Sequence, residues 1–274
     1  TDIDTGDVIN NDAASATLTS VVVVGDVTET NKLSKTYDAT GCAGVYLGEN
    51  DDKQGLSDPV PNIGQLGDGI LNGEFFTQGQ TSYQVMDGME FIEVEDLQAL
   101  DADGLYNDPG WIHLAEYRTY KDQDSTIEYS SMGPIPPGTL ELDIGDLLTL
   151  TLTCMVGDID DGCTSLDWTL ATEPTVIADV QALLGPATFD HLAFSVKAGD
   201  AFAVYDFNFT DIFALEQDVN FLTPYILSGS LNTQDFPNND SNAFHAISHM
   251  NVWARDPADS TTIPEPTTIV LMGL

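Results

Sequence analysis

The 274-residue chain is expected to be all-β: an antiparallel β-sandwich of jelly-roll type with one short helix. Three observations predict this. First, apolar and polar residues alternate with a period of two. The clearest case sets Leu148, Leu150, Leu152 and Cys154 against Thr149, Thr151 and Thr153, the pattern of a half-buried strand. Second, the runs are separated by turns rich in Gly, Asp and Pro. Third, helical periodicity is confined to 172–185. No internal repeat is visible. Residues 31–256 read as one sandwich domain, flanked by an N-terminal arm (1–30) and a C-terminal segment (257–274).

Residues 1–14 are polar and acidic, with Asp2, Asp4, Asp7 and Asp12. Ser15 to Val24 then carries Thr17, Leu18, Thr19 and the run Val21, Val22, Val23, Val24, a strong β signal. A run apolar on both faces needs cover on both. The plainer reading is a central strand of its own sandwich. The sharper one is a strand donated to a neighbouring molecule, its main chain supplying hydrogen bonds and alternate side chains filling pockets.

Residues 38–82 read as loop-rich. Strands are expected at 83–94, 111–120 and 126–131, after which Pro134, Pro136, Pro137 and Gly138 break the chain. The run 139–156 is a strand, interrupted by a bulge or turn at Gly145–Asp146. In the expected helix 172–185, Thr172 serves as cap, Glu173 and Pro174 form the first turn and Gly185 ends it. Val176, Ile177, Val180, Leu183 and Leu184 line one side. Runs at 190–198 and 200–209 form a hairpin around Ala198–Gly199, and 224–234 and 243–254 complete the set.

The charge excludes some partners. Seven Lys and Arg stand against 45 Asp and Glu, a net charge of −38. Such a surface repels nucleic acid and anionic membranes and attracts divalent cations. Twelve Phe, nine Tyr and three Trp argue for a packed fold rather than an acidic disordered chain. Cys154 and Cys163 bracket a short loop and are expected to pair, leaving Cys42 over; the plainer reading is three free, buried thiols. Thr1 suggests a mature or trimmed chain.

Calcium is the expected cofactor, because it takes six to eight oxygens, which acidic loops supply. One cluster is Asp101, Asp103 and Asp108; the other is Asp158, Asp160 and Asp161. With so many carboxylates, clusters also arise by chance. His245 and His249, four apart on a strand-like run, have a spacing that suits zinc but lack a third ligand. No Gly-x-Ser-x-Gly elbow, phosphate loop or His-Glu-x-x-His occurs, so no catalysis is expected. Asn208-Phe209-Thr210 and Asn239-Asp240-Ser241 are glycosylation sequons.

The chain closes on Pro264-Glu265-Pro266 followed by the apolar run Ile269 to Leu274. This resembles the sorting signal of the PEP-CTERM family of exported bacterial proteins. Ser248 to Asp256 is similar to the last strand of those proteins. Gly41 to Asp51 and Phe189 to Gly199 also resemble segments of their ectodomains. Only eight residues follow Pro266 and the family's basic cluster is missing, so this tail is too short for the roughly 20 apolar residues of a spanning helix.

The resemblance implies export, reading of the signal by an exosortase, and a place at the cell surface or among the exopolysaccharide of a Gram-negative bacterium. The expected function is therefore an exported structural protein of the surface or biofilm matrix, self-associating into a filament by strand exchange. The runner-up is an exopolysaccharide-binding module with Trp111, Trp168 or Trp253 exposed. The third reading is a carbohydrate-active enzyme.

Overall fold

The computed structural model describes residues 13–47, 75–78, 81–84, 111–119, 124–132, 142–160, 162–184, 189–236 and 244–255. In chain order the strands before the first helix are β1 (Ala16–Val23), β2 (Tyr37–Asp38), β3 (Gly41–Leu47), β4 (Phe75–Gln78), β5 (Thr81–Gln84), β6 (Trp111–Arg118), β7 (Thr126–Tyr129), β8 (Ser131–Met132) and β9 (Leu142–Asp143). Then come α1 (Ile144–Leu147), β10 (Leu148–Val156), β11 (Ser165–Thr172), α2 (Val176–Leu184), β12 (His191–Ala198), β13 (Ala201–Asn208), α3 (Phe209–Ala214), β14 (Tyr225–Asn232) and β15 (Ile247–Arg255).

Two antiparallel sheets carry the fold. One has the order β10-β11-β14-β1-β2, the other β3-β13-β12-β15-β6-β7. The expected sandwich is present. The consecutive strands β1–β2, β6–β7, β10–β11 and β12–β13 each pair within one sheet, and this order does not by itself trace a jelly roll.

Alternation explains the core. Leu18, Leu150, Leu166, Trp168, Leu170 and Leu231 on one sheet meet Leu192, Phe194, Val196, Tyr205, Phe207 and Val252 on the other in a single buried cluster. Trp168 joins the layers, its ring 4.8 Å from Phe194 and 6.1 Å from Phe207. Its partner across β14 is Gly229. A Cβ on Gly229 would lie 1.8 Å from the Thr17 carbonyl oxygen and 2.5 Å from Trp168 Cζ2. The glycine is there because the indole and strand β1 occupy the space a side chain would need.

The valine run lies in its own sheet. β1 sits between β14 and β2, with Val21 opposite Leu227 and Val23 opposite Tyr225. In the single chain, the plainer reading of this strand is the arrangement seen.

Several expectations need correction. β3 crosses a stretch read as loop, and pairs with β13 from Gly41 to Leu47. β11 was not expected at all. The turn at Gly145–Asp146 is a helical turn, α1, capped by Asp143 Oδ1, which accepts from the Gly145 N–H. Helix α2 begins at Val176, and Thr172 does not cap it. That residue ends β11 and its hydroxyl donates to the Tyr225 carbonyl at 3.0 Å. Three α-helices occur among the described residues where one was expected. Most of the strand expected at 83–94, and the segment 257–274 with Pro264, Glu265 and Pro266, lie outside the described residues.

Candidate functional site

Polar chemistry gathers on the far face of the six-stranded sheet, away from the core. Register across β13, β12, β15 and β6 aligns four rows. They are Asn208, His191, Arg255 and Trp111; then Asp206, Ala193, Trp253 and His113; then Val204, Ser195, Asn251 and Glu116; then Phe202, Lys197, His249 and Arg118. Residues with odd numbers on β12 therefore face one way while Leu192, Phe194 and Val196 face the core. This one face takes three of the chain's seven cationic residues, three of its four histidines and two of its three tryptophans.

Nearly all of it is buried: His113, Glu116, His191, Ser195, Lys197, Asp206 and Asn251 among the polar side chains. Buried polar groups are retained where they are paired. Arg255 grips Asp190 through two bonds, Nε at 3.1 Å and Nη2 at 3.0 Å. His191 Nδ1 lies 2.8 Å from Asp206 Oδ2, with Trp111 edge-on to the imidazole at 5.8 Å. Glu116 and Arg118 form an ion pair. Burial pushes the Asp206 carboxyl above its ordinary value, against the pull of His191 and Arg255.

His113 joins a relay. Its Nδ1 lies 2.6 Å from Ser130 Oγ and its Nε2 3.0 Å from Asn251 Oδ1. Because the Asn251 amide oxygen can only accept, Nε2 carries the proton and Nδ1 accepts from the Ser130 hydroxyl. Ser–His–Asn is an order that can activate a nucleophile. Here, however, the Ser130 N–H donates to the Leu114 carbonyl at 3.0 Å. It is thus not free to stabilise an oxyanion. The relay instead ties β7 to β6 and β15.

The expected site residues fare differently. Cys154 and Cys163 are disulfide-bonded, with Cα atoms 5.7 Å apart, and Cys42, on β3, lies outside that disulfide. Asp158 and Asp160 each accept a backbone hydrogen bond. Asp158 Oδ1 accepts from the Asp160 N–H at 3.0 Å, and Asp160 Oδ1 accepts from the Ser125 N–H at 2.8 Å. That bond from Ser125 holds the Asp160 carboxyl below its ordinary value. Asp101, Asp103, Asp108 and Asp161 lie outside the described residues. Among the described residues no group of three or more His, Cys, Asp or Glu is placed to hold a metal.

Asn208 ends β13 and caps α3, its Oδ1 accepting from the Thr210 and Asp211 N–H groups. Asn239 is not among the described residues. His245 precedes β15 with its ring against Gly199, while His249 lies on the strand, so the two do not form the expected pair on one strand. All three tryptophans are buried, at 0% to 1% exposure, contrary to the exposed aromatic platform of the polysaccharide-binding reading.

Sequence reasoning missed the far face because its residues come from four separate strands. Only register brings them together, and the one early sign was the clustering of rare cations and histidines in strand-like runs. No protein-family model, curated protein or solved structure matches the chain.

Proposed function

We propose that this chain is an exported structural protein of the bacterial cell surface or extracellular matrix. The observation that carries the reading is the Cys154–Cys163 disulfide joining β10 to the loop before β11. Disulfides persist in oxidising compartments and are rare in the cytosol. The charge of −38 supports it, keeping the protein dispersed and away from nucleic acid and anionic lipid. The Pro-Glu-Pro segment supplies the address.

Assembly by strand exchange belongs to the same reading, in the form of copies trading β1. Because β1 is paired with β14 in its own sheet, exchange requires that pairing to open first. A polysaccharide-binding role has less support, since the tryptophans that would stack on sugar rings are buried.

The test is fractionation of the producing cell, with thiols blocked before lysis. Recovery from the surface or medium with Cys154 and Cys163 joined is expected. Recovery from the cytosol with both thiols reduced overturns the proposal.

A further inference from the structure

At one end of the sandwich, where α1, α2 and α3 close over the strands, the two sheets leave a cavity of about 150 Å³. Its floor is buried and aliphatic, formed by Leu114, Leu148, Leu170, Leu192 and Leu227. One wall is aromatic: Phe213 lies tilted 5.3 Å from Phe209 and 5.2 Å from Phe221, with Tyr225 edge-on at 6.0 Å. The rim is half-buried, with Val176 and Ile177 of α2 across from Phe213 and Phe221.

No Asp, Glu, Lys or Arg lines the cavity, and the one imidazole that does, His191, is paired with Asp206. The polar groups at the rim satisfy one another. Asn220 Oδ1 accepts from the Leu222 N–H and the Thr223 hydroxyl, and the Asn220 N–H donates to the Tyr225 hydroxyl. Water entering such a space finds few partners and gains little. Apolar cavities of this volume take up molecules as large as benzene.

The charges beside the rim decide the rest of the ligand. Glu173 and Asp179 flank the rim residues of α2 and Asp218 precedes Asn220, while the Glu216 carboxylate accepts from the Ser34 N–H, the Ser34 hydroxyl and the Tyr37 hydroxyl. No Lys or Arg lies in either segment, 173–184 or 209–224. An anionic head group placed there would be repelled, and a cationic one attracted.

We infer that the cavity is a binding site for the alkyl end of a small amphiphile, with a cationic or neutral head left at the Asn220–Thr223 rim. The chain enters between α2 and Phe221 and replaces empty volume with apolar contact. A linear chain of about six carbons matches the space, on the scale of the benzene-sized voids.

Thermal unfolding of the full chain with hexylammonium, hexanol and hexanoate at matched ionic strength tests this, with methylammonium as the control for charge alone. Hexylammonium and hexanol should raise Tm saturably, by about 3–6 °C at ten times Kd. Hexanoate and methylammonium should not. Val180→Phe, which fills the cavity from α2, should remove the effect. Ala254→Leu fills it from β15 and serves if the first variant does not fold. Failure of both alkyl ligands to shift Tm overturns the proposal. So does an equal shift from hexanoate or methylammonium, or an undiminished shift in a folded filling variant.

Discussion

Replacing Gly229 by alanine adds one methyl group to the middle of β14. That methyl has nowhere to go. It would meet the Thr17 carbonyl oxygen at 1.8 Å and Trp168 Cζ2 at 2.5 Å, where side-chain carbons essentially never approach within 3.0 Å. The first obstacle is backbone on the next strand, at the point where β1 already shifts register between Leu18 and Ser20. The second is an indole wedged against Phe194. Overpacking of a core costs about 1–3 kcal/mol, and with two rigid walls the upper figure applies. For a chain of this size about 3 kcal/mol lowers Tm by about 6–12 °C. Circular dichroism melts at fixed ionic strength measure it. Gly25→Ala is the control: its φ is +79° with nothing within 4 Å, so it carries only the backbone cost of about 1–2 kcal/mol. Trp168→Leu relieves the indole contact and leaves the Thr17 contact. The double variant should therefore stay less stable than Trp168→Leu alone. If Gly229→Ala melts within 2 °C of Gly25→Ala, the packing argument is wrong.

Two further outcomes are expected. Cys154→Ala with Cys163→Ala should lose roughly 2–3 kcal/mol through loop-closure entropy; reductant should lower the Tm of the parent and leave the variant unchanged, and equal sensitivity of both would place the effect elsewhere. Asp206 holds its proton more tightly in the fold than in the unfolded chain, because burial disfavours its charge. Its stabilising contribution is complete below the unfolded carboxyl value near 3.9 and is lost as pH rises through the raised folded value. Asp206→Asn mimics the protonated group, so Tm measured from pH 3.5 to 7.5 should move in favour of the variant as pH rises, and a change in the opposite direction would contradict that linkage.

The strands that read most clearly were those with one wet face. β10 shows Thr149, Thr151 and Thr153 exposed opposite Leu148 and Leu150, and β12 and β13 alternate core residues along a tight hairpin. β11 has a similar pattern in Leu166, Trp168 and Leu170, but it starts within two residues of Cys163 and ends where the helix was expected to begin. Thr172 therefore reads as a cap, although it is the last residue of a strand. α3 spans six residues, too few to show a period, and its signal is Asn208 followed by the Phe209, Ile212 and Phe213 spacing. The valine run was ambiguous for a physical reason: a central sandwich strand and a donated strand need the same two-sided cover. The cavity depends on three helices packing over one end of the sandwich, which no local pattern encodes.

The far face of the six-stranded sheet alters how the molecule meets its neighbours. Lys197 is buried, and the Arg255 and Arg118 side chains are only 13% and 19% exposed. Three of the seven cationic side chains are thus largely withdrawn from the boundary with water, in a chain whose net charge is −38. Approaching copies meet a repulsive cloud about 8 Å deep at physiological ionic strength and about 3 Å deep at 1 M salt. The medium therefore sets how closely the molecules crowd: dilute water holds them apart as a charged colloid, and brine lets their surfaces touch.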